Sequence, residues 1–539
     1  MSWLVFLGAA AITLALFVSV PALSRGSDSI ARLATRLAAK QLVAEVVVFI
    51  VALLLAAAPS IFWSLPLPSE PDEFSYLLAA DTFAHGRLSN PPHAMADALE
   101  FGDVIQRPTY ASKHPPAQGL LLAIGLRLLN LPILGVWIAG ALACAAIAWM
   151  LRPIAPPQWA FLAGVLAAMH PLIASWNQCY WGGNIAMLGG AITFGAAMRM
   201  THRSLPRDAI IAGLGLSFLA ISRPFEGAIF ALVLSIFIVR RARFRNLILV
   251  AIPVVPTLLF LAHYDATVTH DWKLFPHRLH QQQYMITPRF FWERPNTNLT
   301  FASPIMRDFA ALEFTEYQQH VGWRNYFRAM LTKTASLTNT YLPPSLLFAA
   351  IGGAVIAIRQ NDRPARIALA IVVLLPMIHL AMIPITRPPY FAPIIGPMFV
   401  LIVAGIRSLS RLPRVAGINL MSLVVAITLT TQAAAWIAAV PSLNQVAHSG
   451  PAMLQAQQID RLTHLPGKHL VLVRYTGTRT PLYDFVHNGA DIDGAKIVFA
   501  RSIDPERDRV LQNYFRDRDV WLLSIGDATF SFEQLTPPQ

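Results

Sequence analysis

The 539-residue chain is poor in charge and nearly free of cysteine: 13% of its residues are Asp, Glu, Lys or Arg, and two are Cys. Soluble domains carry about a quarter charged residues, so a soluble globular protein is excluded. Cys144 lies inside an apolar run and Cys179 in a turn between runs, which leaves no disulfide framework. There is no glycine-rich phosphate loop, no internal repeat and no low-complexity tract; Gly182-Gly183 is too short to cradle a phosphate. The histidines are scattered, with His85 and His93 flanking a turn and His277 and His280 at i,i+3 spacing. No metal ligand is therefore assigned, and a divalent metal is compatible with the chain without being indicated.

What the chain has in excess is apolar sequence, 55% hydrophobic with mean hydropathy +0.51. Runs able to cross roughly 30 Å of hydrocarbon lie at about 3–23, 41–63, 132–151, 157–175, 184–200, 208–222, 227–239, 246–264, 343–358, 367–385, 391–406 and 416–440. Every second connection is basic. Arg25, Arg32, Arg36 and Lys40 follow the first run, Arg152 the third, and Arg199, Arg203 and Arg207 the fifth. Arg240, Arg241, Arg243 and Arg245 follow the seventh, Arg359, Arg363 and Arg366 the ninth, and Arg407, Arg411 and Arg414 the eleventh. The positive-inside rule puts these connections in the cytoplasm, so the net charge of +13 reports topology rather than nucleic-acid binding. The expectation is an all-α polytopic membrane protein of about 11–12 transmembrane helices plus juxtamembrane helices. Its N-terminus and its long polar regions 64–131, 265–342 and 441–539 lie outside. The first run has no basic flank before it and reads as a retained helix.

Within 64–131, Pro71 and the acids after it suit the first turn of a helix over 71–88. Residues 117–130 are too short to span and carry Arg127, so they read as an interfacial helix. The second outer region is rich in aromatics and His, with helical period only over 303–336. The third reads as a small α/β unit with strands at 469–475, 496–501 and 520–524 and a helix at 509–515. The expected division is thus 1–40 as an extra helix and basic loop, 41–440 as the main membrane domain, and 441–539 as a small extramembrane α/β domain, with a boundary near Ser442.

Charge on the outer side is rare enough to single out. Asp72-Glu73 stands in the first outer loop, and Ser112-Lys113-His114-Pro115-Pro116 follows it. Transfer of a sugar from a polyprenyl phosphate to a hydroxyl needs a base for the acceptor proton and cations for the charge growing on the phosphate. Asp72 and Glu73 are about 100° apart on a helix, so one would act as base while the other orients it or binds acceptor. Read blandly, they are two solvated helix-start acids. Lys113 reads equally as a phosphate ligand or as a lysine snorkelling to headgroups. Arg223 and Arg387 sit in short outer turns against the positive-inside trend, which favours binding roles. Tyr180-Trp181 reads as part of an interfacial aromatic belt.

The order of these features resembles the GT-C superfamily of membrane glycosyltransferases, in its protein O-mannosyltransferase and aminoarabinose-transferase branch. The residues that carry the resemblance are Asp72-Glu73, Lys113-His114-Pro115-Pro116 and Arg387-Pro-Pro-Tyr390-Phe-Ala-Pro393, and it covers roughly 41–440. It implies inverting transfer from a polyprenyl-phosphate sugar to an acceptor hydroxyl on a lipid, glycan or protein. Asp72 would be the general base and Glu73 its support. Lys113, Arg223 and Arg387 would neutralise the donor phosphate, with Tyr76, His114 and Tyr390 binding substrate. The partners implied are the lipid-linked sugar, its acceptor and membrane lipid, with no nucleic acid. The location implied is a bacterial inner membrane with the site facing the periplasm. The run at 3–23 departs from the family as an extra helix, and 441–539 lacks the Trp-Trp-Asp signature of oligosaccharyltransferases. A transporter or lipid flippase is the competing class. Few ionisable groups fall mid-span and no repeat halves are visible, which argues against it. A non-catalytic scaffold would leave Asp72 and Lys113 without a purpose.

Overall fold

Prolines open the helices. Pro71, Pro116, Pro157, Pro171, Pro206, Pro224, Pro276, Pro304, Pro344 and Pro505 are each the first residue of a helix, where a missing N–H costs nothing and φ is already set. A computed structural model describes residues 3–19, 32–202, 205–239, 244–409, 420–447, 450–476, 484–526 and 529–535. Arg25, Arg203, Arg240, Arg241, Arg243, Arg411 and Arg414 of the basic connections lie outside the described residues.

The membrane part consists of α1 (Trp3–Ser19), α2 (Gln41–Phe62), the outer-loop helices α3 (Pro71–Ala84) and α4 (Pro116–Leu129), then α5 (Ile133–Leu151), α6 (Pro157–Ala168) and α7 (Pro171–Trp176). It continues through α8 (Asn184–His202), α9 (Pro206–Ser222), α10 (Pro224–Ile238) and α11 (Phe244–Thr269). The second outer region supplies α12 (Pro276–Tyr284), α13 (Pro304–Gln318) and α14 (Trp323–Tyr341), and the spans resume with α15 (Pro344–Arg359), α16 (Arg363–Met382), α17 (Ile395–Ser408) and α18 (Leu420–Ala447). A 3-10 segment, Pro388–Ile394, leads into α17.

Six described helices are long and apolar enough to cross a membrane: α2, α5, α11, α16, the Pro388–Ser408 unit, and Met421–Ala439 within α18. The pair α14 and α15 passes the same test together but bends by 107° at its break. That agrees with a surface helix feeding a span. Helices α8 and α9 stand where spans were expected, yet they are less apolar. The reason is burial: α8 is buried along nearly its whole length, so it need not match lipid. Its Gly190 packs so closely on the Pro393 carbonyl that a Cβ would collide with it. The run at 157–175 is two helices, because Pro171 cannot continue α6.

The extramembrane part adds α19 (Gly450–His464), β3 (Lys468–Thr476), β4 (Ile497–Arg501), α20 (Pro505–Tyr514), β5 (Arg518–Gly526) and β6 (Phe530–Gln534), while β1 (Val104–Ile105) and β2 (Ala111–Ser112) form a hairpin in the first outer loop. The C-terminal sheet runs β4-β3-β5-β6, parallel across the first three strands and antiparallel at β6. The continuous apolar run Leu470-Val-Leu-Val473 fits a strand buried on both faces. One face, with Val471, Val473, Phe499 and Leu523, packs with Leu462 of α19. The other, with Leu470, Leu472, Val498 and Leu522, shares a core with Leu78, Leu99, Phe101, Val104 and Tyr110 of the first outer loop. The expected boundary near Ser442 falls inside continuous α18.

Candidate active site

The site begins with the capping of α3. Glu70 is the N-cap and Glu73 the N3 residue of a reciprocal capping box. The Glu73 carboxylate accepts from Ser69 N at 2.8 Å, Glu70 N at 3.3 Å and, on its other oxygen, Tyr180 N at 2.8 Å. It is buried; its bonds from Ser69 and Glu70 cap α3, and the one from Tyr180 fastens that cap to the turn after α7. Glu73 lines neither of the two main cavities, so the structure corrects its expected part beside the reacting atoms: it is a cap. The 100° step along the helix turns Asp72 the other way, into open space.

The β1–β2 hairpin brings a second acid that sequence reading missed. Asp103 stands at φ 66°, the left-handed region, next to Gly102. Ser75 Oγ donates to the Asp103 carbonyl at 2.6 Å and meets Ser112 Oγ at 2.8 Å, which ties α3 to the hairpin. The Asp103 carboxylate accepts a bond from Lys113 Nζ, and both side chains are buried. Burial opposes the Lys113 charge, but Asp103 and Asp72 outweigh it and raise its pKa, so the lysine stays protonated. His114 Nε2 lies 3.1 Å from Asp72 Oδ1 at an angle that makes no hydrogen bond, and the Tyr76 ring stacks on the far face of the imidazole at 4.2 Å. Burial would push the Asp72 carboxyl up. His114, with help from Lys113 and Arg223, overcomes that and holds it well below the usual carboxylate range. Asp72 is therefore an anion.

Two cavities meet at Asp72. The first, about 420 Å³, is lined by Glu70, Asp103, Glu313, Arg387 and the His277 and His280 rings. The second, about 490 Å³, reaches the C-terminal ends of α9 and α11 and the start of α10 and is lined by Arg223, Phe225, Leu261, Tyr264, Asp265 and Phe290. Asp72, Lys113, Trp181, His277, Arg289 and Tyr390 line both. The sequence-predicted Asp72, Lys113, Arg387 and Tyr390 thus share one cavity, and Arg223 and His114 line the other. Tyr76 lines neither and acts from behind His114.

The cations divide into committed and uncommitted ones. Lys113 is bound to Asp103. Arg387 Nη1 donates to Glu316 Oε2 at 3.0 Å, and Lys333 Nζ reaches Glu316 Oε1 at 3.2 Å. Arg223 lies over the Tyr390 ring, 4.7 Å from its centroid, and among the described residues forms no ion pair with a carboxylate. Arg289, also missed at the sequence level, has its backbone N–H on Glu293 and no ion pair for its guanidinium among the described residues. Trp181, assigned to an aromatic belt, instead walls both cavities. Sequence offered one signal for Arg289: a lone arginine among Phe290, Phe291 and Trp292.

Asp72, Asp103 and His114 place one ligand atom each within 4.8 Å of one another, a set of two oxygens and one nitrogen able to hold a divalent cation. Lys113 already supplies positive charge to Asp103 at that spot.

The fold is shared with solved membrane proteins of the kind the resemblance implied. Among solved structures, ArnT from Cupriavidus metallidurans in the apo state matches with TM-score 0.52 at 13% identity, covering 89% of this chain and 92% of that one. The same protein bound to undecaprenyl phosphate matches with TM-score 0.52 at 12% identity and the same coverage. The Archaeoglobus fulgidus oligosaccharyltransferase in complex with Zn and sulfate aligns with TM-score 0.48 at 14% identity over 79% of this chain and 60% of that one. No protein-family model and no curated protein matches the chain. The chain is a multi-pass membrane protein of this fold.

Proposed function

We propose that the protein is an inverting membrane glycosyltransferase that moves a sugar from a polyprenyl phosphate to an acceptor hydroxyl at the outer face of a bacterial inner membrane. One observation carries this reading: the Asp72 carboxyl stands where an apolar cavity at the ends of α9, α10 and α11 meets a polar cavity lined by Glu70, Asp103 and Arg387. The apolar cavity suits the lipid-linked donor, and its uncommitted Arg223 and Arg289 suit the phosphate better than Lys113 or Arg387, which are already paired. The polar cavity suits the acceptor.

In the reaction the acceptor oxygen bonds to the anomeric carbon as the carbon–oxygen bond to phosphate breaks. The polyprenyl phosphate leaves with the bonding pair, and the hydroxyl proton passes to Asp72. A depressed carboxyl is a weak base, which suffices where the proton leaves late, after the new bond has begun to form. Arg223 and Arg289 stabilise the departing phosphate, and Lys113 adds charge at the junction. The reading is supported by ArnT from Cupriavidus metallidurans, a protein of the same fold whose structure has been solved bound to undecaprenyl phosphate.

The test is incubation of the purified, lipid-reconstituted protein with a panel of radiolabelled undecaprenyl-phosphate sugars and envelope extracts as acceptors. Sugar should leave the lipid at a rate abolished by Asp72→Asn. No binding and no consumption of any lipid in the panel would overturn the reading.

A further inference from the structure

Helix α11 turns Leu261, Tyr264 and Asp265 toward the apolar cavity. Leu261 and Tyr264 belong to a packed cluster with Ile105, Ala111, Val268 and Leu279. Asp265 does not fit that company. Its side chain is 3% exposed, its Oδ1 has no hydrogen-bond partner, and among the described residues it forms no ion pair. The nearby Arg278 offers no compensation, because its guanidinium is committed to Glu293 at 2.8 and 2.9 Å. Asp265 also sits in the last turns of α11, which ends at Thr269, where the helix dipole opposes an acid. Three costs therefore coincide: loss of water, lack of a partner and the wrong helix end. A leucine there would carry none of them. A group so costly to the fold, aimed into a cavity large enough for a ligand, is kept for what enters that cavity.

Among the described residues the cavity holds no second uncommitted carboxyl at its walls, since Asp72 lies against His114 and Glu226 Oε1 lies 3.0 Å from His379 Nδ1. What an isolated carboxyl recognises is a hydrogen-bond donor. On a polyprenyl-phosphate sugar the lipid and phosphate provide none, and the ring provides several. We infer that Asp265 binds the sugar ring of the donor, through a ring hydroxyl or amine, and so selects which lipid-linked sugar is used. This rests on the proposed glycosyl transfer and on the donor occupying the apolar cavity. The phosphate then lies toward Arg223 and Arg289, and the anomeric carbon toward Asp72.

The experiment compares the wild type with Asp265→Leu and Asp265→Asn, in detergent, for binding of undecaprenyl phosphate and of a panel of undecaprenyl-phosphate sugars, alongside thermal melting. Expected is a loss of about 10- to 100-fold in affinity for the preferred sugar lipid, the range for one hydrogen bond to a carboxylate. Affinity for the bare lipid phosphate should be unchanged or better, and the melting temperature of Asp265→Leu should rise. Equal losses for bare and sugar-bearing lipid, or a drop in melting temperature in both variants, would overturn the assignment. So would a wild type that binds the bare lipid and gains nothing from any sugar. A wild type that binds no lipid of either kind would instead defeat the proposed transfer itself.

Discussion

The His487 ring lies flat on Phe74, with centroids 3.8 Å apart and planes 23° from parallel. Phe74 is two residues from Asp72 on the same helix, so the C-terminal sheet region bears on the support of the Asp72 carboxylate. Around this stack, Ala490 N donates to Asp81 at 2.7 Å, Tyr110 OH to the Asn488 carbonyl at 2.9 Å, and Arg501 to the Glu100 carbonyl at 2.7 Å. Burial pushes the His487 imidazole down to about 3, so it is a neutral aromatic plate.

His487→Ala is therefore expected to slow turnover about 3- to 10-fold while leaving the apparent donor affinity within about twofold. The loss of one stacked pair, worth about 1 kcal/mol, is too small to unfold the chain. Phenylalanine at 487 should restore the rate. A His487→Ala enzyme with normal turnover would show that the contact is only adhesive.

Asp72→Asn should remove about 10²–10⁴-fold in rate, the range for a general base, with an unchanged melting temperature. Glu73→Gln should do the reverse. Its amide oxygen could still accept on one side, but its NH2 would face either the Ser69 and Glu70 N–H groups or that of Tyr180, costing about 2–3 kcal/mol of stability, with turnover of the folded fraction within about threefold. Paired melting and rate measurements separate the two outcomes.

Lys113→Met should be the most damaging of the cation variants for folding. It strands the buried Asp103 carboxylate, at a cost of about 3–5 kcal/mol. Adding Asp103→Asn should recover much of the melting temperature without recovering the rate. Arg223→Met and Arg289→Met should leave the melting temperature within a few degrees and weaken undecaprenyl phosphate binding, with a combined effect that differs from the sum of the two because they act on one phosphate.

Glu70 lines the polar cavity, and burial, with Glu73 and Asp72 beside it, pushes its carboxyl up to about 7. A carboxyl raised on folding stabilises the fold while protonated. That share is complete below the usual 4.5 and is lost as pH rises through about 7. Glu70→Gln keeps a cap acceptor and removes the titration, so its gain in melting temperature over the wild type should be larger at pH 8 than at pH 5. Parallel melting curves across that range would refute it.

If the outer-face assignment holds, Thr297→Cys and Arg509→Cys, both at exposed positions, should react with a membrane-impermeant maleimide in intact cells. Protection of either in folded protein would reverse that loop.

Much of this was legible because apolar runs and prolines act locally. The starts of α3 and α4 and strands β3, β4 and β5 each follow from a period or a proline within a few residues, whereas the about 11–12 spans read from apolar runs exceed the six described helices, or seven with the bent pair, that are long and apolar enough to cross. Asp72 and Lys113 could be singled out because charge is rare in the connections that lack arginine runs. Asp103 was not legible, since its value arises only when a hairpin folds it against Lys113. Glu73 misled because adjacent acids look alike in sequence, whereas the helical step sends one to a cap and the other to a cavity. Arg289 and Asp265 gain meaning only from what does not pair with them, and no sequence pattern records a missing partner.

The bond from Ala490 to Asp81 closes a separation of 409 residues. At about 5–20 residues per second of synthesis, the helix bearing Asp72 waits roughly 20–80 s on the ribosome before its last buttress has been made and exported. The geometry thus makes the bracing of the Asp72 helix one of the last contacts that synthesis permits, and a chain stalled before its last hundred or so residues would lack it.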